Sequence, residues 1–172
     1  MNIMKTIPIW LALGLLSCTD TDARPETTHL TLKAISDFTV PDNVGLYVDN
    51  DRKAIAIEAA NPQFRNQLMG STHVVNWLER SETFNVEFVY VSEKDGEPKY
   101  EFWVNERLIK SSIAEQTDEE FQNNSTHWRN IKISPNDIIT IKSNAVTNGK
   151  IAEGDGTAYA RGRWVSLTFS KD

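Results

Sequence analysis

The fold is decided by the stretch Phe84-Asn85-Val86-Glu87-Phe88-Val89-Tyr90, in which apolar and polar residues largely alternate. Because the side chains of a strand alternate between its two faces, this period of two predicts a strand with one buried face. The alternation returns at Tyr100, Phe102 and Val104, after the turn-forming residues Glu93-Lys94-Asp95-Gly96. The two runs predict an antiparallel hairpin with a common apolar face.

Further strand signals extend from this hairpin toward both ends of the chain. Two more hairpins are predicted at Gly45–Glu58 and at Trp128–Lys142, each around a cluster of turn-forming residues. The first and last strands are predicted at His29–Lys33 and Arg163–Phe169. Many short strands with Gly, Pro and Asn turns indicate an all-β fold, an antiparallel β-sandwich.

Segments without strand periodicity divide into short helical turns and long loops. Helical turns are expected at 61–68 and 117–121, and long loops near 66–73, 111–127 and 143–163. Loops of that length in a compact domain are usually binding elements or disordered insertions.

Composition limits the classes of partner. The chain has 172 residues, a formal net charge of −6 and one cysteine, Cys18. An acidic chain without a basic run argues against binding of nucleic acid. Since no cysteine follows Cys18, the remaining domain folds without disulfides. There is no phosphate-binding loop, nucleophile elbow or His-Glu-x-x-His motif, and we expect no enzyme activity.

The N-terminus has the pattern of a signal peptide. Lys5 precedes an apolar run at 7–16 that is too short to span a bilayer, and Ser17 precedes Cys18. This resembles the lipobox of bacterial lipoproteins, in which the cysteine is lipidated. The resemblance implies a signal peptide at 1–17, a lipidated Cys18 with a flexible tether through 29, and a domain at 30–172. It also implies a location in the cell envelope at the outer membrane, with the lipid as the only membrane attachment.

The order of motifs in the domain resembles the jelly-roll carbohydrate-binding modules of families six and thirty-five. The matching elements are Ile57-Glu58-Ala59-Ala60, the glycine loop leading from Met69 to Trp77, Phe102-Trp103-Val104-Asn105, Trp128-Arg129-Asn130-Ile131 and Asn136-Asp137-Ile138-Ile139. The resemblance implies a jelly-roll fold and a glycan or polysaccharide partner. The family's calcium is the one candidate cofactor. Ala60 replaces one of its glutamates and the last strand lacks Asp, so we expect no metal and no cofactor.

The resemblance places the ligand where the loop at 148–164 meets the loops at 70–73 and 123–127. The candidate ligand-binding residues are His73, Trp77, Asn124, His127, Asp155, Tyr159 and Arg161. An arginine fork suits a carboxylate or a sulfate, so the site is expected to accept acidic glycans. For Arg161 and Trp77, a structural role stays open as the alternative.

Structural roles are expected for Glu58, Trp128, Arg163 and Trp164. Arg163 is expected to point inward and to pair with Glu58 or Asp155, and Trp103 is expected in the core with the other strand tryptophans. The favoured function is a lipid-anchored, non-catalytic glycan-binding protein. An envelope structural or protein-interaction lipoprotein is the alternative, and a small hydrolase comes last.

Overall fold

A computed structural model describes residues 29–42 and 44–171. The apolar run at 7–16, Cys18 and most of the predicted tether lie outside these residues. The described elements are β1 (His29–Lys33), α1 (Ala34–Asp37), β2 (Leu46–Asp49), β3 (Ala54–Ile57), a 3₁₀ turn (Pro62–Phe64), β4 (Met69–Val74), β5 (Glu82–Ser92), β6 (Lys99–Val104), β7 (Arg107–Ile113), β8 (Gln122–Ile133), β9 (Ile138–Ser143), β10 (Ala152–Glu153), β11 (Gly156–Thr157) and β12 (Trp164–Ser170).

The strands form two antiparallel sheets that pack face to face. One sheet has the order β2-β3-β12-β5-β8, with β1 also paired to β12, and the other has the order β4-β9-β6-β7. A small hairpin, β10-β11, stands apart from both. The predicted fold class, an antiparallel β-sandwich, is therefore confirmed. Within the described ranges, no helix is long and apolar enough to cross a membrane.

The core lies between the two inner sheet faces and is rich in aromatic residues. Phe88 packs against Tyr100 and Trp128, with ring centres 5.1 Å apart in both pairs. Trp164 is fully buried in the same cluster. Trp103, expected in the core, instead lies on the outer face of the four-stranded sheet, because it alternates with the inward-facing Phe102 and Val104 on β6.

One of the three predicted hairpins forms as expected, and two are wrong. β2 and β3 pair with each other within the predicted Gly45–Glu58 hairpin. β5 pairs with β8 and β12, whereas β6 pairs with β7 and β9, so the turn between them carries the chain from one sheet to the other. The connection from β8 to β9 crosses between the sheets in the same way. Alternation shows which face of a strand is buried, but a strand that switches sheets keeps that alternation.

Several local predictions also need correction. Most of the expected loop at 66–73 is strand β4, and β7 and β8 take up both ends of the expected loop at 111–127. The segment 117–121 forms no helix; the Thr117 hydroxyl accepts a hydrogen bond from the Glu119 N–H at 3.0 Å and donates one to Gln122 Oε1 at 3.0 Å. The turn predicted at 61–68 is present as the 3₁₀ turn, which Asn61 caps by accepting the Gln63 N–H.

Candidate functional site

Arg163 is the centre of a buried charge network on the outer face of the six-stranded sheet. Its side chain is enclosed, with 6% of the residue exposed. Its Nε donates to Asp49 Oδ2 at 2.8 Å, and its Nη1 donates to Glu93 Oε2. The predicted partners, Glu58 and Asp155, are wrong.

The predicted inward orientation of Arg163 is wrong because the pairing of β12 with β5 contains a bulge. A bulge between Trp164 and Ser166 turns Trp164 toward the core together with Leu167. Arg163 therefore lies on the outer face, and not on the face of Leu167 as the alternation predicts. Its side chain crosses β3 to reach β2, since β3 lies between β2 and β12.

Two small residues of β3 make this crossing possible. Ala54 pairs with Asp49 and Ala56 pairs with Tyr47, and both alanines are fully buried although they alternate with the core residue Ile55. A larger side chain at either alanine would occupy the space in which the guanidinium lies. The local sequence Ala54-Ile55-Ala56 thus lets an arginine from one strand reach an acid two strands away.

The pKa values of the two carboxylates in the network shift in opposite directions. Burial works to raise the pKa of Asp49, but hydrogen bonds from Arg163 and from the Arg52 N–H outweigh it and lower the pKa. Burial raises the pKa of Glu93, and Arg163 offsets this only in part. Asp49 is therefore the firmly charged partner of the buried cation, whereas Glu93 is the group that protonates more readily.

Above this network lies a surface that we call the Arg161 corner, formed by Arg161 and Tyr47. Glu93 Oε1 accepts the Arg161 backbone N–H at 2.9 Å, and Gly162, at φ +56°, provides the tight turn between the two arginines. The Tyr47 hydroxyl accepts from Arg161 Nη1 at 3.1 Å and from Arg163 Nη2 at 3.3 Å. With both lone pairs of that oxygen engaged, its O–H is left to donate.

The corner is consequently rich in donors. Arg161 is half-buried, and among the described residues its guanidinium has one hydrogen-bond acceptor, Tyr47. A guanidinium carries five N–H donors and no acceptor. Such a surface matches a ligand group that only accepts hydrogen bonds, which is the property of a carboxylate or a sulfate.

Beside the Arg161 corner lies an open cleft of about 370 Å³, which we call the Phe121 cleft. Its lining residues are Asp51, Arg52, Lys53, Val91, Phe121 and Asn123. The Arg52 guanidinium lies 3.5 Å from the centre of the Phe121 ring, and the Arg163 guanidinium lies 5.2 Å from it. Arg163 therefore contacts both surfaces, the corner through Tyr47 and the cleft through Phe121.

The structure does not bring the three predicted ligand loops together. His73 lies on the edge strand β4, where its Nδ1 contacts the Asp37 carbonyl at 2.7 Å. Asn124 and His127 lie on β8, an edge strand of the other sheet, where Asn124 donates to Ser92 Oγ and His127 faces Glu87. All three residues lie in strands and not in loops, because β4 pairs with β9 and β8 pairs with β5 along these segments.

The other candidates also lie apart. Asp155 is exposed at the tip of the β10-β11 hairpin, and the ring of Tyr159 is covered by the Arg65 guanidinium at 4.5 Å. Trp77 packs against Phe84 and Phe169 at the border of the core. Of the predicted ligand residues, Arg161 alone lies at the corner.

Metal binding has no support in the part of the chain that the structure describes. No group of three or more His, Cys, Asp or Glu side chains there is placed to hold an ion.

Four residues of the corner, the buried network and the cleft are not among the predicted site residues: Tyr47, Asp49, Glu93 and Phe121. A signal for two of them was present, since Tyr47 and Asp49 share one face of a strand opposite the small residues Ala54 and Ala56. Glu93 lies in a predicted turn, and Phe121 lies in a predicted loop. Their neighbours are distant in the chain, so no local pattern indicated them.

No protein-family model matches this sequence. One curated relative, "Uncharacterized protein P23" of Formosa agariphila, is 26% identical over 93 residues. The matched segment covers 52% of this chain and 21% of the relative, so the matched half of this chain spans about a fifth of that protein.

Solved structures resemble the chain more extensively. The family 36 carbohydrate-binding domain of a multidomain xylanase from the hindgut metagenome of Trinervitermes trinervoides superposes with a TM-score of 0.53 at 10% identity, over 84% of this chain and 98% of that domain. A family 35 module from Paenibacillus barcinonensis gives a TM-score of 0.49 at 12% identity, over 83% and 99% of the two chains. The first likeness shows the fold, a β-sandwich shared with carbohydrate-binding modules.

Proposed function

We propose that this chain is a non-catalytic, lipid-anchored protein of the cell envelope that binds acidic glycans through the Arg161 corner. The observation that carries the proposal is the pair of half-buried donors, the Arg161 guanidinium and the Tyr47 hydroxyl, on a sandwich shared with a xylanase's carbohydrate-binding domain. A fold alone hosts many functions, so the corner has to supply the specificity.

Recognition at the corner would rest on a preformed site. Glu93 holds the Arg161 backbone, and Tyr47 holds its guanidinium, so little conformational freedom is lost when a ligand binds. The planar fork of Arg161 can give two parallel hydrogen bonds to one carboxylate or sulfate. A neutral hydroxyl can accept hydrogen bonds from only some of these N–H and O–H groups, so the corner favours an acidic ligand.

The membrane anchor in this proposal is a lipid on Cys18, and the outer membrane is the proposed location. Support comes from the lipobox-like sequence that ends at Cys18. The segment from Cys18 to the start of β1 at His29 reaches at most roughly 40 Å when fully extended. That length would let the domain bind a polysaccharide close to the membrane surface.

Binding measurements on the mature chain with Cys18→Ser test the proposal without detergent. Isothermal titration calorimetry should show that the parent binds glucuronate- and galacturonate-containing oligosaccharides. Arg161→Ala should lower the affinity roughly ten- to hundredfold, the range for a hydrogen bond to a charged group. Arg129→Ala is the matched control, since Arg129 is exposed on β8. Equal affinity of the parent and Arg161→Ala would reject the corner as the recognition surface.

A second candidate, binding of a partner protein, is favoured by one observation. The outer face of the four-stranded sheet carries large exposed apolar side chains at Val74, Leu108 and Ile138, with Ile113 the most exposed at 66%. Val74 and Ile138 pair directly across β4 and β9, and exposed apolar neighbours of this kind often mark protein contacts. If Ile138→Glu abolished co-purification of an envelope protein and Arg161→Ala changed no glycan binding, this second function would replace the first.

A further inference from the structure

We propose that the Phe121 cleft is a second subsite, which binds the sugar residue next to the acidic one held at the Arg161 corner. The ligand would then be an acidic glycan of at least two residues. The inference rests on the proposed function, but its geometry is independent of Arg161.

The cleft has the size and the apolar wall that a sugar ring needs. Its volume of about 370 Å³ is at the lower end of the range for small-ligand sites. Phe121 keeps 40% of its surface exposed and offers apolar contact to the C–H groups of a pyranose, and the buried Val91 also lines the cleft. An exposed aromatic side chain at such a place is the usual anchor of a binding surface.

Arg52 holds this wall in place. Its guanidinium packs on the Phe121 ring, and its Nη1 lies 3.6 Å from Asp49 Oδ2. Its Nε is buried and has no hydrogen-bond partner among the described residues. A buried donor without a partner costs free energy, so the position of Arg52 is set by its contacts with Phe121 and Asp49 and not by a hydrogen bond of its Nε.

The rim of the cleft differs from the corner in its hydrogen-bonding chemistry. Asp51 offers acceptors, Lys53 offers donors and Asn123 offers both, and all three side chains are exposed. Within the described ranges none of them has a hydrogen bond or an ion pair of its own. A sugar hydroxyl both donates and accepts, so this mixture suits a neutral sugar residue, whereas the donor-rich corner suits an acidic group.

The two surfaces are close enough for one short ligand. Arg163 Nη2 lies 3.3 Å from the Tyr47 hydroxyl and the Arg163 guanidinium carbon 5.2 Å from the Phe121 ring centre, so hydroxyl and ring lie within roughly 10 Å of each other. That span fits adjacent residues of a glycan. The buried Arg163 therefore fixes the spacing between the two subsites.

A ligand-length series tests the cleft on the mature chain with Cys18→Ser. The probes are glucuronate and galacturonate as monosaccharides, and a glucuronate-containing disaccharide and tetrasaccharide, titrated by calorimetry and by protein amide NMR shifts. Phe121→Ala should weaken binding of the di- and tetrasaccharide about tenfold and leave the monosaccharides unchanged, because a single residue reaches only the corner. Asn123→Ala should weaken the longer probes as well, with Arg129→Ala as the control.

The outcomes separate the cleft from the proposed function. If Arg161→Ala weakens every probe and Phe121→Ala and Asn123→Ala weaken none, the cleft is rejected and the corner stands. If Phe121→Ala and Asn123→Ala weaken the longer probes and Arg161→Ala weakens none, the cleft stands and the corner is rejected. If the parent chain binds none of the probes, or Phe121→Ala weakens mono- and tetrasaccharides equally, the two-subsite arrangement is rejected.

Discussion

Removal of the buried cation by Arg163→Met should destabilise the domain strongly. Asp49 and Glu93, exposed by only 8% and 4%, would both lose the guanidinium that pairs with them, and Asp49 would keep only the longer ion pair with Arg52 Nη1 at 3.6 Å. Breaking a buried ion pair by removing one partner costs about 3–5 kcal/mol, because the uncompensated charge stays buried. Methionine fills a similar volume, so the loss reports on charge more than on packing.

The loss of unfolding free energy caused by Arg163→Met should depend on pH. The pKa values of the two carboxylates determine whether this loss grows or shrinks as the pH falls. In the parent, Arg163 lowers the pKa of Asp49 and limits the rise of the pKa of Glu93. Without Arg163 the pKa of Glu93, which burial already raises, rises further, and the pKa of Asp49 loses the contribution of Arg163 that lowers it. A group with a raised folded pKa adds stability below its unfolded pKa and loses it as the pH rises. The penalty of Arg163→Met should therefore be largest at pH 7 and shrink toward pH 4.5.

Urea denaturation followed by tryptophan fluorescence, at pH 7 and at pH 4.5, measures both effects. Adding Glu93→Gln to Arg163→Met should recover part of the loss at pH 7, since one buried charge is removed and the amide oxygen still accepts the Arg161 N–H. Arg129→Met is the control and should change the unfolding free energy by less than about 0.5 kcal/mol. A loss below about 1 kcal/mol for Arg163→Met, equal at both pH values, would refute the buried network.

Three further predictions concern the anchor, the turn between the arginines and metal. Cys18→Ser should release the protein from the membrane fraction into the soluble one, as judged by immunoblotting after centrifugation; retention in the membrane fraction would show that Cys18 is not the anchor. Gly162→Ala should lower the melting temperature more than Gly154→Ala, because both have φ +56° but a Cβ at Gly162 would lie 2.5 Å from the Asn144 carbonyl oxygen, whereas Gly154 has open space; equal melting temperatures would contradict this. A chelator should leave the melting temperature unchanged, and a drop of about 10 °C, well beyond the effect of 1 kcal/mol in a domain of this size, would reveal a structural ion.

Part of the candidate site was accessible from the sequence. The glycine-rich segment before the last strand indicated that Arg161 is presented by a tight turn, and the structure places Arg161 at the corner beside Gly162. The other predicted ligand residues, such as His73 and His127, were expected to lie together because the sequence predicts that they are in loops that meet. They separate because the segments that carry them pair as strands at the edges of different sheets.

Sequence alone predicts that the chain forms strands and which face of most strands is buried, as Phe84, Phe88 and Phe102 show. This information is local, because the period of two depends only on neighbouring side chains. Even so, a single bulge before Ser166 was enough to change the face on which Arg163 lies.

Which strands pair, and therefore which residues surround the buried charge, depends on the packing of the whole domain. Arg163 meets Asp49 and Glu93 across separations of 114 and 70 residues. A turn of the same composition can close a hairpin or carry the chain to the opposite sheet, and the choice depends on how all the inner faces pack together. The Arg161 corner and the Phe121 cleft arise from that packing, since each joins residues that only the pairing of distant strands brings together.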